Sequence, residues 1–372
     1  MNNPFENVKK NFGFGCMRLP MVNGEVDCVE FTKMVDAFLE AGFNYFDTAH
    51  GYLDGKSEVA LRQCLTSRYP REKYILTNKL STPHFNSQEE IRPLFESQLA
   101  ICGVEYFDFY LMHAQCEELF AKYQRCRAYE TALELKAEGK IRHLGISFHD
   151  KAAVLDKILT AYPQVEAVQI QLNYVDFDDP AVESRKCLEV CRKHGKPAII
   201  MEPVKGGALV NLPEEAQQVF DSLGGGSNAS YAIRFAASQE GVAMVLSGMG
   251  NMDMMEDNLS FMKDFRPLDT EEQAAVDKVC EIFAAQPGIA CTACRYCLEV
   301  CPQKIPIPDF FVCMNARLRF RDEGVKFYYA DLCRGNGVTA ASCIECGACE
   351  GVCPQHLEIR ALLKDVAKEF DK

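Results

Sequence analysis

The 372-residue chain is longer than one ordinary domain, and 48% apolar with 25% charged residues is the composition of packed globular structure rather than disorder. A net charge of −13 argues against a nucleic-acid surface, which needs a basic stripe to neutralise phosphates. No apolar run reaches the ~18 residues of a membrane span, and the opening MNNPFENVKK has no apolar signal-peptide core, so a cytoplasmic protein is expected.

From residue 12 to about 265, short apolar runs alternate with amphipathic stretches that end in glycine. Strands are expected at 12–17, 43–47, 73–79, 107–113, 142–147, 166–171, 197–202 and 242–248. Between them, Asp27 opens a helix that closes at Gly42, Ser57 opens a second, and Ser87 with Glu90 forms a capping box for a third. Further helices end near Gly139, Gly195 and Gly241. The strands are almost continuously apolar, as in a parallel sheet covered on both faces. Eight strand–helix units in about 250 residues predict an α/β fold, a (β/α)8 barrel over residues 1–266. A doubly wound sheet is the alternative, weakened because no strand is followed by GxGxxG. The LGGGSN stretch at 223–228 reads as a flexible loop before a capped helix, with a phosphate cradle as the lesser reading. Residues 267–286 hold a connecting helix, and 287–372 form a second domain rich in cysteine.

Of 19 cysteines, eight fall in two runs, CTACRYCLEVCP and CIECGACEGVCP. Each fits C-x2-C-x2-C-x3-C-P, the spacing of two-cluster 4Fe–4S proteins, in which the fourth cysteine of one run serves the other cluster. Cys291, Cys294, Cys297 and Cys353 are therefore expected around one cluster, and Cys343, Cys346, Cys349 and Cys301 around the second. Zinc ribbons space their cysteines in pairs, and neither run has a histidine partner. The other eleven, Cys280, Cys313 and Cys333 among them, read as buried, reduced thiols. The segment resembles dicluster ferredoxin domains. The helical stretch between the runs, PIPDFFVCMNARLRFRDEG, points to a small, mainly α-helical type.

Within the barrel, Asp47, Tyr52, Lys79 and His113 stand at or just beyond strand ends, where the active sites of such barrels lie. Hydride reduction of a carbonyl needs a proton for the developing alkoxide. Tyr52 can supply it if Lys79 lowers its pKa, Asp47 holds Lys79, and His113 orients the carbonyl oxygen. Taken singly, each residue has a structural reading; the four together are much less easily dismissed.

At these residues the chain resembles the aldo/keto reductase family, through GFNYFDTAHGY, ILTNK and FDFYLMH, and also GKIRHLGIS, VQIQLNY, EPVKGGAL and SGMGNMDMMEDN. The whole chain looks like the branch in which such a barrel is fused to a ferredoxin tail. The resemblance implies a nicotinamide cofactor lying across the rim. Ser147 and Gln169 would hold its carboxamide, Gly207 and Leu209 would lie by the pyrophosphate, and Gly248, Gly250, Asp257 and Asn258 near the adenosine. Three places depart from the family pattern. Phe148 replaces a common Asn, Met201 replaces an aromatic, and Asn251 with Glu256 occupies positions that often carry the cations for a 2′-phosphate. NADH is therefore expected over NADPH, with no nicotinamide at all as the other open option.

The joint reading is an oxidoreductase that reduces a carbonyl or oxidises an alcohol, coupled to two 4Fe–4S clusters. The alternatives are an electron-transfer protein whose barrel has lost hydride chemistry, and an iron–sulfur redox sensor or binding module. Expected partners are a small carbonyl or alcohol and a redox partner protein, with neither nucleic acid nor membrane. The short AQCEELFAKYQ segment after His113 is expected to leave the site open.

Overall fold

The computed structural model describes residues 3–179, 182–291, 295–321 and 323–371, in two compact units. The first is a closed barrel of eight parallel strands. These are β1 Phe12–Gly15, β2 Tyr45–Asp47, β3 Ile75–Leu80, β4 Phe107–Gln115, β5 Ile141–Phe148, β6 Ala167–Gln171, β7 Ala198–Met201 and β8 Val242–Ser247. Each strand pairs with its successor, and β8 returns to β1. The strands are buried on both faces because side chains fill the barrel inside and helices cover it outside.

Tyr45, Phe109, Leu111, Ala167, Ile199, Met244 and Leu246 form an inner cluster joined by Phe5 from the N-terminal segment. Space there is tight. A Cβ on Gly145 would stand 2.5 Å from Leu111 and 2.9 Å from the Ala167 carbonyl oxygen, so packing itself demands glycine at that point of β5.

Asp27 caps the helix Cys28–Glu40 by accepting from the Val29 and Glu30 amides. Two other expected caps do not form. Ser57 lies inside the helix Lys56–Leu61, its hydroxyl bonded to Thr48 Oγ1 and the Cys16 carbonyl. Glu90 instead accepts from the Asn86 amide, and the helix Ile91–Cys102 has no side-chain cap. In both cases another partner takes the polar group that the helix terminus would have used. A short hairpin, Met21–Val22 with Glu25–Val26, lies outside the expected elements, although Asn23-Gly24 at its turn, both with positive φ, is a strong hairpin signal.

The second unit gathers residues 205–222 with 275–372, so a linear cut at 266 does not follow its compactness. Lys205 Nζ, 4.7 Å from the Phe320 ring centroid, is one contact that ties the 205–222 segment to this unit. The unit is helical: Tyr296–Val300, Ile307–Phe320, Val325–Asn336, Ala348–Gly351 and Ile359–Phe370 pack around Phe310, Phe311, Tyr329, Leu363 and Val366. Tyr329 anchors it by donating to Asp371 at 2.6 Å and accepting from the Ala340 amide at 2.9 Å. Among the described residues no helix is long and apolar enough to cross a membrane.

Candidate active site and cluster sites

Parallel strands point their C-terminal ends to one rim. Register aligns Gly15 with Asp47, Asp47 with Thr77, Lys79 with Leu111 and Ser147 with Gln169. Asp47, Lys79, His113, Ser147 and Gln169 thus come from five successive strands. His113 owes its direction to a break in the β4–β5 ladder between Met112 and Gln115. Ala114 there has φ 54° and gives its amide to Ser147 Oγ at 2.8 Å, the local re-aiming that a bulge provides.

Lys79, with its side chain fully buried, directs its ammonium to three acceptors: Asp47 Oδ1 at 2.5 Å, the Thr48 carbonyl at 2.8 Å and the Tyr52 hydroxyl at 3.2 Å. Gln169 Nε2 reaches the second oxygen of Asp47 at 3.3 Å. Burial alone would pull the Lys79 pKa down, but Asp47 and Tyr52 more than restore it, so the ammonium persists. Because Tyr52 accepts from Lys79, its own proton is left to donate elsewhere. The expected lowering of its pKa by Lys79 is present but outweighed. Burial, helped by Asp47 and Glu202, holds the phenol above its ordinary value. The ring stands edge-on to His113, centroids 6.1 Å apart.

His113 is held neutral well below the ordinary histidine pKa, by burial first and then by Lys79. Its Nδ1 lies 2.6 Å from Ser81 Oγ. When Ser81 donates, the ring proton sits on Nε2, where it can donate to a carbonyl oxygen. Ser81 escaped sequence reasoning because a serine one residue past a strand has no distinguishing pattern. The segment after His113 forms a helix, Glu117–Arg125, whose Tyr123 bonds to the Leu80 and His113 carbonyls.

Other expected cofactor residues have structural partners. Ser247 donates to the buried Asn258 at 2.8 Å, and Ser227 to Asp257 at 2.8 Å. Asn251 caps the helix Met252–Met262, and Glu256 is exposed on it. No cation neighbours these positions in sequence, but Arg18 lies beside Gly248 and Gly250 in space. Gly15, Gly248 and Gly250 have ordinary φ, and a Cβ on each would meet nothing closer than 3.4 Å. Their bare backbone is a cradle that side chains would fill, which fits a dinucleotide. In the second unit, Gly207 has φ 102° and a Cβ added to it would meet nothing within 4 Å, while Leu209 is buried.

Beside Tyr52 lies a buried polar chain. Glu58, without exposure, meets His50 Nδ1 at 2.7 Å and accepts from Asn78 at 2.7 Å and Gln98 at 3.2 Å. The Glu58 hydrogen bond lifts the His50 pKa above its ordinary value. His84, edge-on to His50, is pushed the other way by burial and by His50. The His50 contribution to stability is therefore complete below about pH 6.5 and lost as pH rises through its raised value, while that of His84 has the opposite sense. Denaturant titrations across this range should show wild-type stability falling with pH relative to a His50→Gln variant. Parallel curves would rule the pair out as a source of stability.

In the second unit, Cys301, Cys343, Cys346 and Cys349 line one cavity with Ile305, Ile307 and Leu363. Cys291, Cys297 and Cys353 line another with Ile307, Phe311 and Leu357; Cys294 lies outside the described residues. The fourth cysteine of each run thus stands with the first cysteines of the other, and Ile307 borders both cavities. Besides sulfur and apolar groups, the described linings hold Gln303 and Arg360 in one cavity and Arg295 and Gln355 in the other, but neither carboxylate nor imidazole; the clustered thiols are a soft donor set that fits iron–sulfur clusters. The Glu345 amide donates to Cys343 Sγ at 3.4 Å, a contact of the kind that tunes such a centre. Of the eleven remaining cysteines, seven are buried, while Cys28, Cys116, Cys280 and Cys333 are partly exposed.

A model of the aldo/keto reductase family matches residues 11–281, and a 4Fe-4S dicluster domain matches 290–357. The chain is 29% identical over 210 residues to the NADH-specific methylglyoxal reductase of Escherichia coli, a match covering 51% of this chain and 61% of that protein. This chain therefore spans less than two thirds of that relative. It is 28% identical over 258 residues to an aldo-keto reductase of Mycolicibacterium vanbaalenii, covering 68% and 85%. Among solved structures, a Bacillus halodurans aldo-keto reductase in its holo form superposes with a TM-score of 0.59 at 24% identity, covering 73% of this chain and 92% of that one. A Klebsiella pneumoniae aldo-keto reductase in complex with NADPH gives 0.59 at 20% identity, covering 72% and 90%. At that identity these two speak for the fold alone. With the family model spanning most of the chain, the protein belongs to the aldo/keto reductase family and is an oxidoreductase of that family with a C-terminal 4Fe–4S dicluster domain.

Proposed function

We propose that the barrel transfers hydride between a nicotinamide dinucleotide and a small carbonyl or alcohol, and that the tail's clusters exchange electrons with a redox partner protein. The observation that carries this reading is the Lys79 ammonium bonded at once to Asp47 and to the Tyr52 hydroxyl, with the neutral His113 ring beside it. When bound, the nicotinamide supplies or accepts the hydride. The protein's part is acid–base and positional. His113 Nε2 orients the carbonyl oxygen, Tyr52 donates its phenolic proton as negative charge develops there, and Lys79 stabilises the resulting phenolate. Asp47 keeps Lys79 charged and in place.

NADH is the preferred form. Glu256 and Asn251 stand where a 2′-phosphate would need cations, and Asn251 commits its side chain to the Met254 amide. The Escherichia coli relative, NADH-specific by name, agrees with this preference. In the tail, Cys301, Cys343, Cys346 and Cys349 hold one cluster, and Cys291, Cys294, Cys297 and Cys353 the other. When bound, each cluster carries one electron at a time.

Anaerobic titration with NADH and, separately, NADPH tests the whole reading, with nicotinamide absorbance and electron paramagnetic resonance followed together. Reduction of the clusters by NADH would make barrel and tail one redox unit. Clusters reduced by dithionite but by neither nucleotide would remove direct transfer from the nicotinamide. For the ligand sets, Cys301→Ala and Cys346→Ala should abolish the same resonance signal, and Cys353→Ala and Cys291→Ala the other. If Cys301→Ala instead matches Cys291→Ala, the exchange of fourth cysteines is wrong.

A further inference from the structure

Cys28 and Cys64 belong to neither cluster run. Cys28 opens the helix Cys28–Glu40 and is partly exposed, whereas Cys64 is buried on the helical segment packed against it. The two stand 36 residues apart in the chain, yet their contacts are reciprocal. Cys64 Sγ donates to the Cys28 carbonyl at 3.6 Å, and Cys28 Sγ donates to Oε1 of Gln63, the neighbour of Cys64, at 3.0 Å. Thr32 lies one turn beyond Cys28, on the same face of its helix, and its hydroxyl also bonds to Cys64. The Cys28 thiol is itself a hydrogen-bond partner of Cys64. The two sulfurs are therefore neighbours in space.

The backbone around Cys64 is unusual as well. Cys64 sits in the middle of a π-helical turn, Arg62–Thr66, that continues the helix Lys56–Leu61. Such turns are rare and often mark functional sites. Arg68 ties the turn to the helix of Cys28, donating to the Cys64 carbonyl at 2.9 Å while gripping Asp36 at 2.7 and 2.8 Å. At the other end of the same helical run, the Ser57 amide donates to the Tyr52 carbonyl at 3.3 Å. The run thus joins the cysteine pair to the Tyr52 loop. Burial first, and then Cys28, push the Cys64 thiol up to about 11, although Thr32 and Arg68 pull it down. Cys64 is therefore protonated at rest, and the partly exposed Cys28 is the sulfur that a reagent from solution meets first.

We propose that Cys28 and Cys64 form a reversible disulfide on exposure to a small-molecule disulfide, a redox site separate from the clusters that acts on the Tyr52 loop. The Cys28 sulfur attacks the oxidant RSSR, giving Cys28–S–SR and one RSH. The Cys64 sulfur then attacks Cys28 Sγ, and its proton leaves with the second RSH. Both protein thiols are oxidised, the oxidant's disulfide is reduced to two thiols, and an added dithiol reverses the exchange. A covalent bond is shorter than the present non-bonded contact. The π turn must therefore move toward the helix Cys28–Glu40 and pull on the Ser57 amide that holds Tyr52.

Anaerobic incubation of the full-length, cluster-loaded protein with oxidised glutathione, followed by alkylation and peptide mass mapping, tests this. Wild type should yield linked peptides carrying Cys28 and Cys64, lacking both thiol hydrogens, which dithiothreitol separates. Cys64→Ser should stop at glutathione bound to Cys28, and Cys28→Ser should leave Cys64 unmodified. Hydrogen exchange in peptides spanning residues 52–66 should change by about twofold or more in oxidised wild type and in neither variant. Iron content, measured alongside, should stay constant. Wild type that remains unlinked overturns the proposal, as does a bond from either residue to a different cysteine. Loss of iron before the link forms also overturns it, because the clusters would then be the oxidant's target. A Cys28–Cys64 link with unaltered exchange at residues 52–57 overturns its action on Tyr52.

Discussion

Replacing Tyr52 by Phe should lower kcat by roughly 10²–10⁴-fold, the usual worth of a positioned proton donor. The substitution removes one oxygen and keeps the ring that packs edge-on to His113 and lies 4.8 Å from the Lys79 ammonium. KM should change little, since the phenolic proton moves only as the alkoxide forms. Iron content and the resonance of the reduced clusters should match wild type, because all eight cluster cysteines lie from residue 291 onward. Steady-state turnover with a panel of small aldehydes and ketones, measured beside these spectra, separates the readings. Turnover within about threefold of wild type would mean that the barrel does not use Tyr52 as its acid.

The second large effect is on stability. Lys79→Met should destabilise the barrel by about 3–5 kcal/mol, the typical result of leaving one member of a buried ion pair alone. Lys79 has no exposed side-chain surface and Asp47 only 4%. The stranded carboxylate would keep Gln169 at 3.3 Å as its described side-chain partner. Asp47→Asn/Lys79→Met should recover much of that loss, because no unpaired charge remains, yet stay inactive. Urea denaturation of the two single variants and the double variant measures the coupling. A loss under about 1 kcal/mol in Lys79→Met would show that water or relaxation reaches the pair.

These expectations bear on how much the chain discloses before it folds. The barrel was legible because its strands are short, apolar and regularly spaced, and glycines punctuate the helices between them. The cluster motifs were legible because metal ligation imposes fixed spacing on nearby residues. Asp47, Tyr52, Lys79 and His113 could be selected because each lies at or just past the end of an expected strand. Caps were less legible. Ser57 and Glu90 carry the right residue types but bond elsewhere, Ser57 across the fold to Cys16, since a buried polar group takes the partner that packing supplies.

Local pattern thus determined the eight-stranded barrel, the helical tail and the candidate residues for the proposed chemistry. The three-dimensional structure decided the electrostatics. It placed Lys79 among three acceptors, turned His113 through a bulge onto Ser81, and let burial outweigh Lys79 at Tyr52. It also brought Arg18, Glu202 and Gly248 to one rim from positions far apart in the chain. Spacing along the chain encodes what neighbouring residues do together. Burial and long-range charge depend on distances that exist only once the barrel has closed.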